Sequence, residues 1–75
     1  MDKTILELAA KTLHLPAEKA EKNCKQVPEA DAWYFWNPVR GGGAVIINAE
    51  GEKLGATSSV SYERHLKAFL EGRRN

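Results

Sequence analysis

Few side chains in this sequence have types suited to nucleophilic or metal chemistry: one cysteine, Cys24, and two histidines, His14 and His65. Metal sites and nucleophile–base pairs need such groups at short characteristic spacings, and these three fall on different expected elements with no ligand-like interval between them. A lone small thiol on a helix face is ordinarily a packing group. His65, one residue before Leu66, reads as a helix-surface residue, and His14 as part of a helix's C-terminal turn, where a partly positive ring is favoured. The carboxylates Glu29, Asp31, Glu50, Glu52 and Glu63 are scattered, so the sequence supplies no reason for an acid–base pair. The reading is a protein without catalytic residues, metal ligands or cofactor, not an enzyme; a chain this short also has difficulty walling off a deep pocket.

Two further stretches carry binding chemistry. In Arg40-Gly41-Gly42-Gly43, consecutive glycine amides could cradle an anion. Phosphate loops, however, lead from a strand into a helix, whereas this run leads into an aliphatic strand and reads better as a connection between strands. The stronger clue is Tyr34 and Trp36 beside Arg40, because aromatics and arginine are enriched at the energetic centres of protein interfaces. The same rings could stack on bases or sugars. The competing structural reading packs Tyr34 and Trp36 beneath the second short helix.

These residues depend on a sheet. The aromatic block Trp33-Tyr34-Phe35-Trp36 and the aliphatic block Ala44-Val45-Ile46-Ile47 are short, closed by turn formers and rich in residues that fit a pleated surface. Alternation sends Trp33 and Phe35 to one face and Tyr34 and Trp36 to the other. The continuous apolar run at 45–47 marks a central strand, covered to some extent on both faces. Ala49-Glu50-Gly51-Glu52 reads as a type I turn with a bulge, leading to a weak partner strand at Glu52–Ser58 that lies toward an edge. Gly55 inside that strand suggests a bulge or a close backbone approach. A further short strand at Cys24–Val27 could pair with the aromatic block across Pro28–Asp31. Truncation of Trp33 or Ile46 to Ala is expected to cost about 3–5 kcal/mol.

Helices flank the sheet. Asp2–His14 carries an apolar stripe of Ile5, Leu6, Ala9, Ala10 and Leu13, capped by Asp2 or by Thr4 with Glu7. Pro16 ends this helix or opens a second short one in which Ala17, Ala20 and Cys24 share a face. Ser59 or Ser61 caps a last helix with Tyr62, Leu66, Phe69 and Leu70 as its stripe, stopped by Gly72 and followed by the basic tail Arg73-Arg74-Asn75. The expected architecture is one α+β domain over residues 1–75: a small antiparallel sheet of three to four strands packed by an N-terminal and a C-terminal helix.

With 75 residues, such a domain buries only about 60–65% of its unfolded surface, so each large apolar side chain matters. The formal net charge of +1 disfavours a strongly electrostatic nucleic-acid or membrane binder. A single cysteine, no signal peptide and no membrane-length apolar run point to a protein of the reducing cytoplasm.

The order of an N-terminal helix, an acidic-led tryptophan strand (Asp31-Ala32-Trp33-Tyr34-Phe35-Trp36), a glycine-marked aliphatic strand (Gly43-Ala44-Val45-Ile46-Ile47-Asn48), the turn Glu50-Gly51-Glu52 and a Ser-Tyr-Glu helix opening resembles the YrhB-like small immunity-protein domains of bacterial polymorphic toxin systems. The resemblance spans about Asp31 to Phe69. It implies a non-catalytic, cytoplasmic bacterial protein that neutralises a toxin by binding it, and it carries over no functional residue. The leading functional reading is a protein-binding module that uses Tyr34, Trp36 and Arg40, with a homodimer through a sheet edge as its simplest form. The runner-up binds single-stranded nucleic acid or a phosphorylated ligand through the aromatic strand, the Arg40 glycine loop and Arg73-Arg74.

Overall fold

The computed structural model describes residues 2–38 and 42–74. The chain opens with helix α1 (Lys3–Leu13) and the single-turn-and-a-half helix α2 (Ala17–Lys22), followed by strand β1 (Cys24–Val27) and a 3-10 turn at Pro28–Ala30. Strands β2 (Ala32–Trp36), β3 (Ala44–Asn48) and β4 (Lys53–Ala56) come next, and helix α3 (Tyr62–Leu70) closes the order. The strands form one antiparallel meander, β1-β2-β3-β4. The sheet is therefore four-stranded, with β3 inside it and β4 at an edge as the apolar pattern requires.

Local chemistry explains the boundaries. Asp2, not Thr4, caps α1, its carboxylate accepting from the Thr4 amide at 2.8 Å. His14 ends that helix in the left-handed conformation (φ 56), a place more often filled by glycine, while the Leu15 amide donates back to the Ala10 carbonyl at 2.9 Å. The Asn37 side-chain amide reaches across to the Leu13 carbonyl at 3.2 Å and ties the end of β2 to the end of α1. Helix α2 stops at Lys22, so Cys24 belongs to β1 and not to the α2 face. The Asn23 carbonyl accepts from the Trp36 amide at 3.0 Å and extends the β1–β2 ladder by one bond.

The β3–β4 turn follows the glycine expectation closely. Gly51 takes φ 86, its amide donates to the Asn48 carbonyl, and the Asn48 side-chain oxygen accepts from the Glu50 and Glu52 amides at 3.0 and 2.9 Å. Strand β4 is shorter than expected, and Gly55 pairs in regular register with Val45, without a bulge. A close approach occurs at Gly43: a Cβ there would lie 2.6 Å from the Ala56 carbonyl oxygen. Gly43 also continues the β2–β3 ladder through its carbonyl, which accepts from the Asn37 amide at 2.9 Å.

For α3 the cap is Ser61, whose hydroxyl accepts from the Arg64 amide; Ser59 is hydrogen-bonded to Thr57 instead. At its far end Gly72 is left-handed (φ 96). The Gly72 and Arg73 amides donate to the carbonyls of Phe69 and Ala68, which satisfies two of the orphan acceptors of the last turn.

Helices cover both faces of the sheet. On one, α1 and α2 bury Ile5, Ala9, Ala10, Leu13 and Ala20 against Phe35, Val45 and Ile47, with Trp33 and Cys24 at the margin. On the other, α3 buries Phe69 against Val27, Ala32 and Ile46, flanked by Tyr34, Leu54, Tyr62 and Leu66. The single strand β3 thus feeds both cores, with Val45 and Ile47 on one side and Ile46 on the other, all three fully buried. Trp33 is only half-buried, whereas Phe35 is fully enclosed, so the anchoring aromatic of β2 is Phe35.

Urea unfolding is expected to show losses of about 3–5 kcal/mol for Phe35→Ala and about 2–5 kcal/mol for Ile46→Ala, each exceeding that for Trp33→Ala. A Trp33→Ala loss equal to or above the Phe35→Ala loss would contradict this burial order. Gly43→Ala, which adds only a methyl group, is expected to destabilise by about 1–3 kcal/mol because its neighbour is backbone and cannot rotate away.

Candidate functional site

The pleat places Ala32, Tyr34 and Trp36 on the face shared with α3, alongside Lys25 of β1, which is opposite Tyr34, and Ala44 of β3, opposite Trp36. Tyr34 is the hub of an aromatic cluster. Its ring stacks on Trp36 at 5.7 Å between centroids and 29° between planes, meets Tyr62 edge-on at 4.8 Å, and meets His65 edge-on at 5.8 Å. The Lys25 ammonium nitrogen stands 3.7 Å from the centre of the Tyr62 ring, within cation–π range.

This arrangement revises both sequence-based expectations for the face. Tyr34 and Trp36 do not look out from a bare sheet: α3 lies over part of this face, and both rings are half-buried. Nor does α2 cover them, since α2 packs on the opposite face. What stays accessible is a rim formed by the partly exposed rings of Trp36, Tyr34 and Tyr62, with exposed Lys25 beside them. Arg40, the third residue expected here, lies outside the described residues, as does part of the glycine loop.

His65 is the residue that the sequence placed wrongly. It is 2% exposed, and its Nε2–H donates to the Leu54 carbonyl at 2.6 Å, while Nδ1 has no hydrogen-bond partner among the described residues. That geometry fixes the neutral ring as the Nε2–H tautomer, because a carbonyl can only accept. The signal was present in the spacing. Tyr62, His65 and Phe69 recur at three and four residues, the interval of a helix's buried stripe, whereas Leu70, counted in that stripe from sequence, is 54% exposed.

The sheet keeps the remaining reactive groups apart. Cys24 packs with the α1 core and His65 with the α3 core, on opposite faces. Burial, helped by the Glu21 charge, pushes the Cys24 thiol above its ordinary value and keeps it in the poorly nucleophilic protonated form. Among the described residues no group of three or more histidine, cysteine, aspartate or glutamate side chains is placed to hold a metal ion. Asp31 and Glu50, far apart in sequence, do meet at one small hollow, but both are exposed there. Glu52 is engaged by the Asn48 side-chain amide at 2.9 Å and lies 3.8 Å from Arg74. No helix of the described residues is long and apolar enough to cross a membrane.

Comparison with protein-family models, with curated proteins and with solved structures gives no match for this chain.

Burial raises the pKa of both cluster tyrosines above the ordinary value of 10.0, with Glu29 and then Tyr34 adding to the effect at Tyr62. An acid whose pKa is raised by folding contributes stability that is complete below the unfolded value and is lost as pH rises through the folded one. The unfolding midpoint is therefore expected to fall as pH rises above about 10, with a shallower fall in Tyr34→Phe. Equal alkaline slopes in the wild type and Tyr34→Phe would show that the cluster does not perturb this hydroxyl.

Proposed function

We propose that the protein is a non-catalytic protein-binding module whose contact surface is the rim of the Tyr34 cluster: Trp36, Tyr62 and Lys25 beside the first turn of α3. The observation that carries this reading is the stacked and edge-on packing of rings that are still partly open to solvent. A ring locked by its neighbours loses little conformational freedom when a partner covers it, so more of the burial appears as affinity. Trp, Tyr and a neighbouring cation are also the residue types that dominate measured interface energies. Arg40 remains part of the proposed contact from its sequence position alone.

The likeness to small immunity-protein domains suggests the finer reading, in which the partner is a bacterial toxin and the protein works in the cytoplasm, where Cys24 stays reduced. Neutralisation by binding requires no catalytic group, in keeping with the sheet's separation of Cys24 from His65.

The test is affinity capture from the native host with wild-type protein and Trp36→Ala, followed by titration of the recovered partner. A central aromatic contact predicts a loss of about 2 kcal/mol or more, roughly a thirtyfold weaker Kd, with little change in the fold's circular dichroism. A defined partner bound equally by wild type, Trp36→Ala and Tyr62→Ala would place the contact elsewhere. Salt-sensitive binding of single-stranded oligonucleotides that broadens the Trp36 indole signal would favour the nucleic-acid reading instead.

A further inference from the structure

On the other flank of α3 lies a trough of about 480 Å³ between that helix and the edge strand β4. Its lining combines the apolar Leu54, Ala56 and Ala68 and the exposed Val60 with the hydroxyl residues Thr57 and Ser59. The charge is one-sided: Arg64 and Arg73 line the trough and no acidic residue does. A contiguous hollow of about 330 Å³, which shares Arg64, Ala68 and Arg73, adds Lys67 and a single acid, Glu71. Neither Arg64 nor Arg73 has an acidic partner among the described residues; the arginine that does is Arg74, held beside Glu52 at 3.8 Å and over the Phe69 ring at 3.7 Å.

We infer that this trough binds an extended acidic peptide segment of another protein. The shape argues for a chain over a compact anion. The trough runs along Leu54, Gly55 and Ala56 of β4, about 10 Å at about 3.3 Å per extended residue, and a lone phosphate would leave its apolar residues Leu54, Ala56, Val60 and Ala68 uncovered. The charge argues for acidic side chains, since an arginine fork matches a carboxylate with two parallel hydrogen bonds. Alternate residues of an extended segment would then set apolar groups on Leu54, Ala56 and Ala68 and carboxylates toward Arg64 and Arg73. This surface is separate from the aromatic rim, and either can fail without the other.

The test is an amide-resolved NMR titration of the full chain with a blocked peptide alternating Glu and Val, against the same peptide with Gln for Glu and against inorganic phosphate. Saturable shifts are expected at Ala56, Thr57, Val60 and Ala68 with a Kd in the range of about 0.1–1 mM, weakening as salt rises. The double substitution Arg64→Gln with Arg73→Gln, both at exposed positions, is expected to weaken binding about tenfold or more. Ala68→Glu, which sets a carboxylate in the floor, is expected to do the same. Equal binding of the Gln peptide, the same shifts from phosphate at equal concentration, or no shift with several millimolar Glu peptide would each overturn the inference. So would a concentration-dependent dimer that protects these amides, since the occupant would then be a second copy.

Discussion

The antiparallel pairing of β2 with β3 is the constraint on which the rest of the molecule depends. Its register sets Phe35 beside Val45 on one face and Tyr34 beside Ile46 on the other. Because strand side chains alternate, the pairing supplies two apolar surfaces at once, and each must be covered. Helices α1 and α2 cover one and α3 covers the other. With 75 residues and one cysteine there is no disulfide to share the task, so two thin cores separated by a sheet hold the fold. A slip of one residue in β3 would exchange Ile46 with Val45 and Ile47 and leave both cores mismatched.

Helix α3 is short for the area it must cover, and several separate contacts hold it in place. Ser61 caps its start, Gly72 and Arg73 close its end, and Arg74 folds back to donate to the Phe69 carbonyl at 2.8 Å. Within the helix, His65 adds a polar tether from the buried stripe to the Leu54 carbonyl of β4. A buried ring that donates to a neighbouring strand fixes the helix against the sheet in a way an apolar residue would not, since the bond has a direction. The Nδ1, without a partner among the described residues, is the unfavourable side of this arrangement.

The limited reach of α3 shapes the surface. Nine residues of helix cover Ile46 and Val27 fully but leave Trp36 and Tyr62 partly open along one flank, and a trough beside β4 along the other. The two proposed contact surfaces therefore share one cause. They differ in chemistry, one aromatic with a lysine at its margin and the other a mixed apolar and hydroxyl surface lined by two arginines. Sheet placement also explains the isolation of the reactive groups, since Cys24 and His65 sit in cores that the sheet divides.

Much of the architecture was legible in the chain because its signals are local. Aromatic and β-branched blocks, the Gly51 turn, the Ser61 cap and the Gly72 stop act over a few residues, and they yielded the α+β class, the element order, the inner position of β3 and the edge position of β4. Even the weakly supported strand at Cys24–Val27 forms, since its backbone bonds to β2 do not depend on side-chain type. The same local rules placed Tyr34 and Trp36 on one face. They could not tell which helix would cover that face or how far, because coverage depends on how three helices divide two surfaces. For the same reason the sequence counted Trp33 as a core residue, though it is only half-buried, and set His65 outside: burial is decided by what lies opposite a residue in space. The sequence by itself determined the elements and the side each residue faces, through the periods of strand and helix. Only the tertiary structure decided that Tyr62 and His65 come against the Tyr34 ring, that Arg64 and Arg73 line one trough beside β4, and that Cys24 and His65 lie in separate cores, since each of these depends on how the helices pack on the sheet.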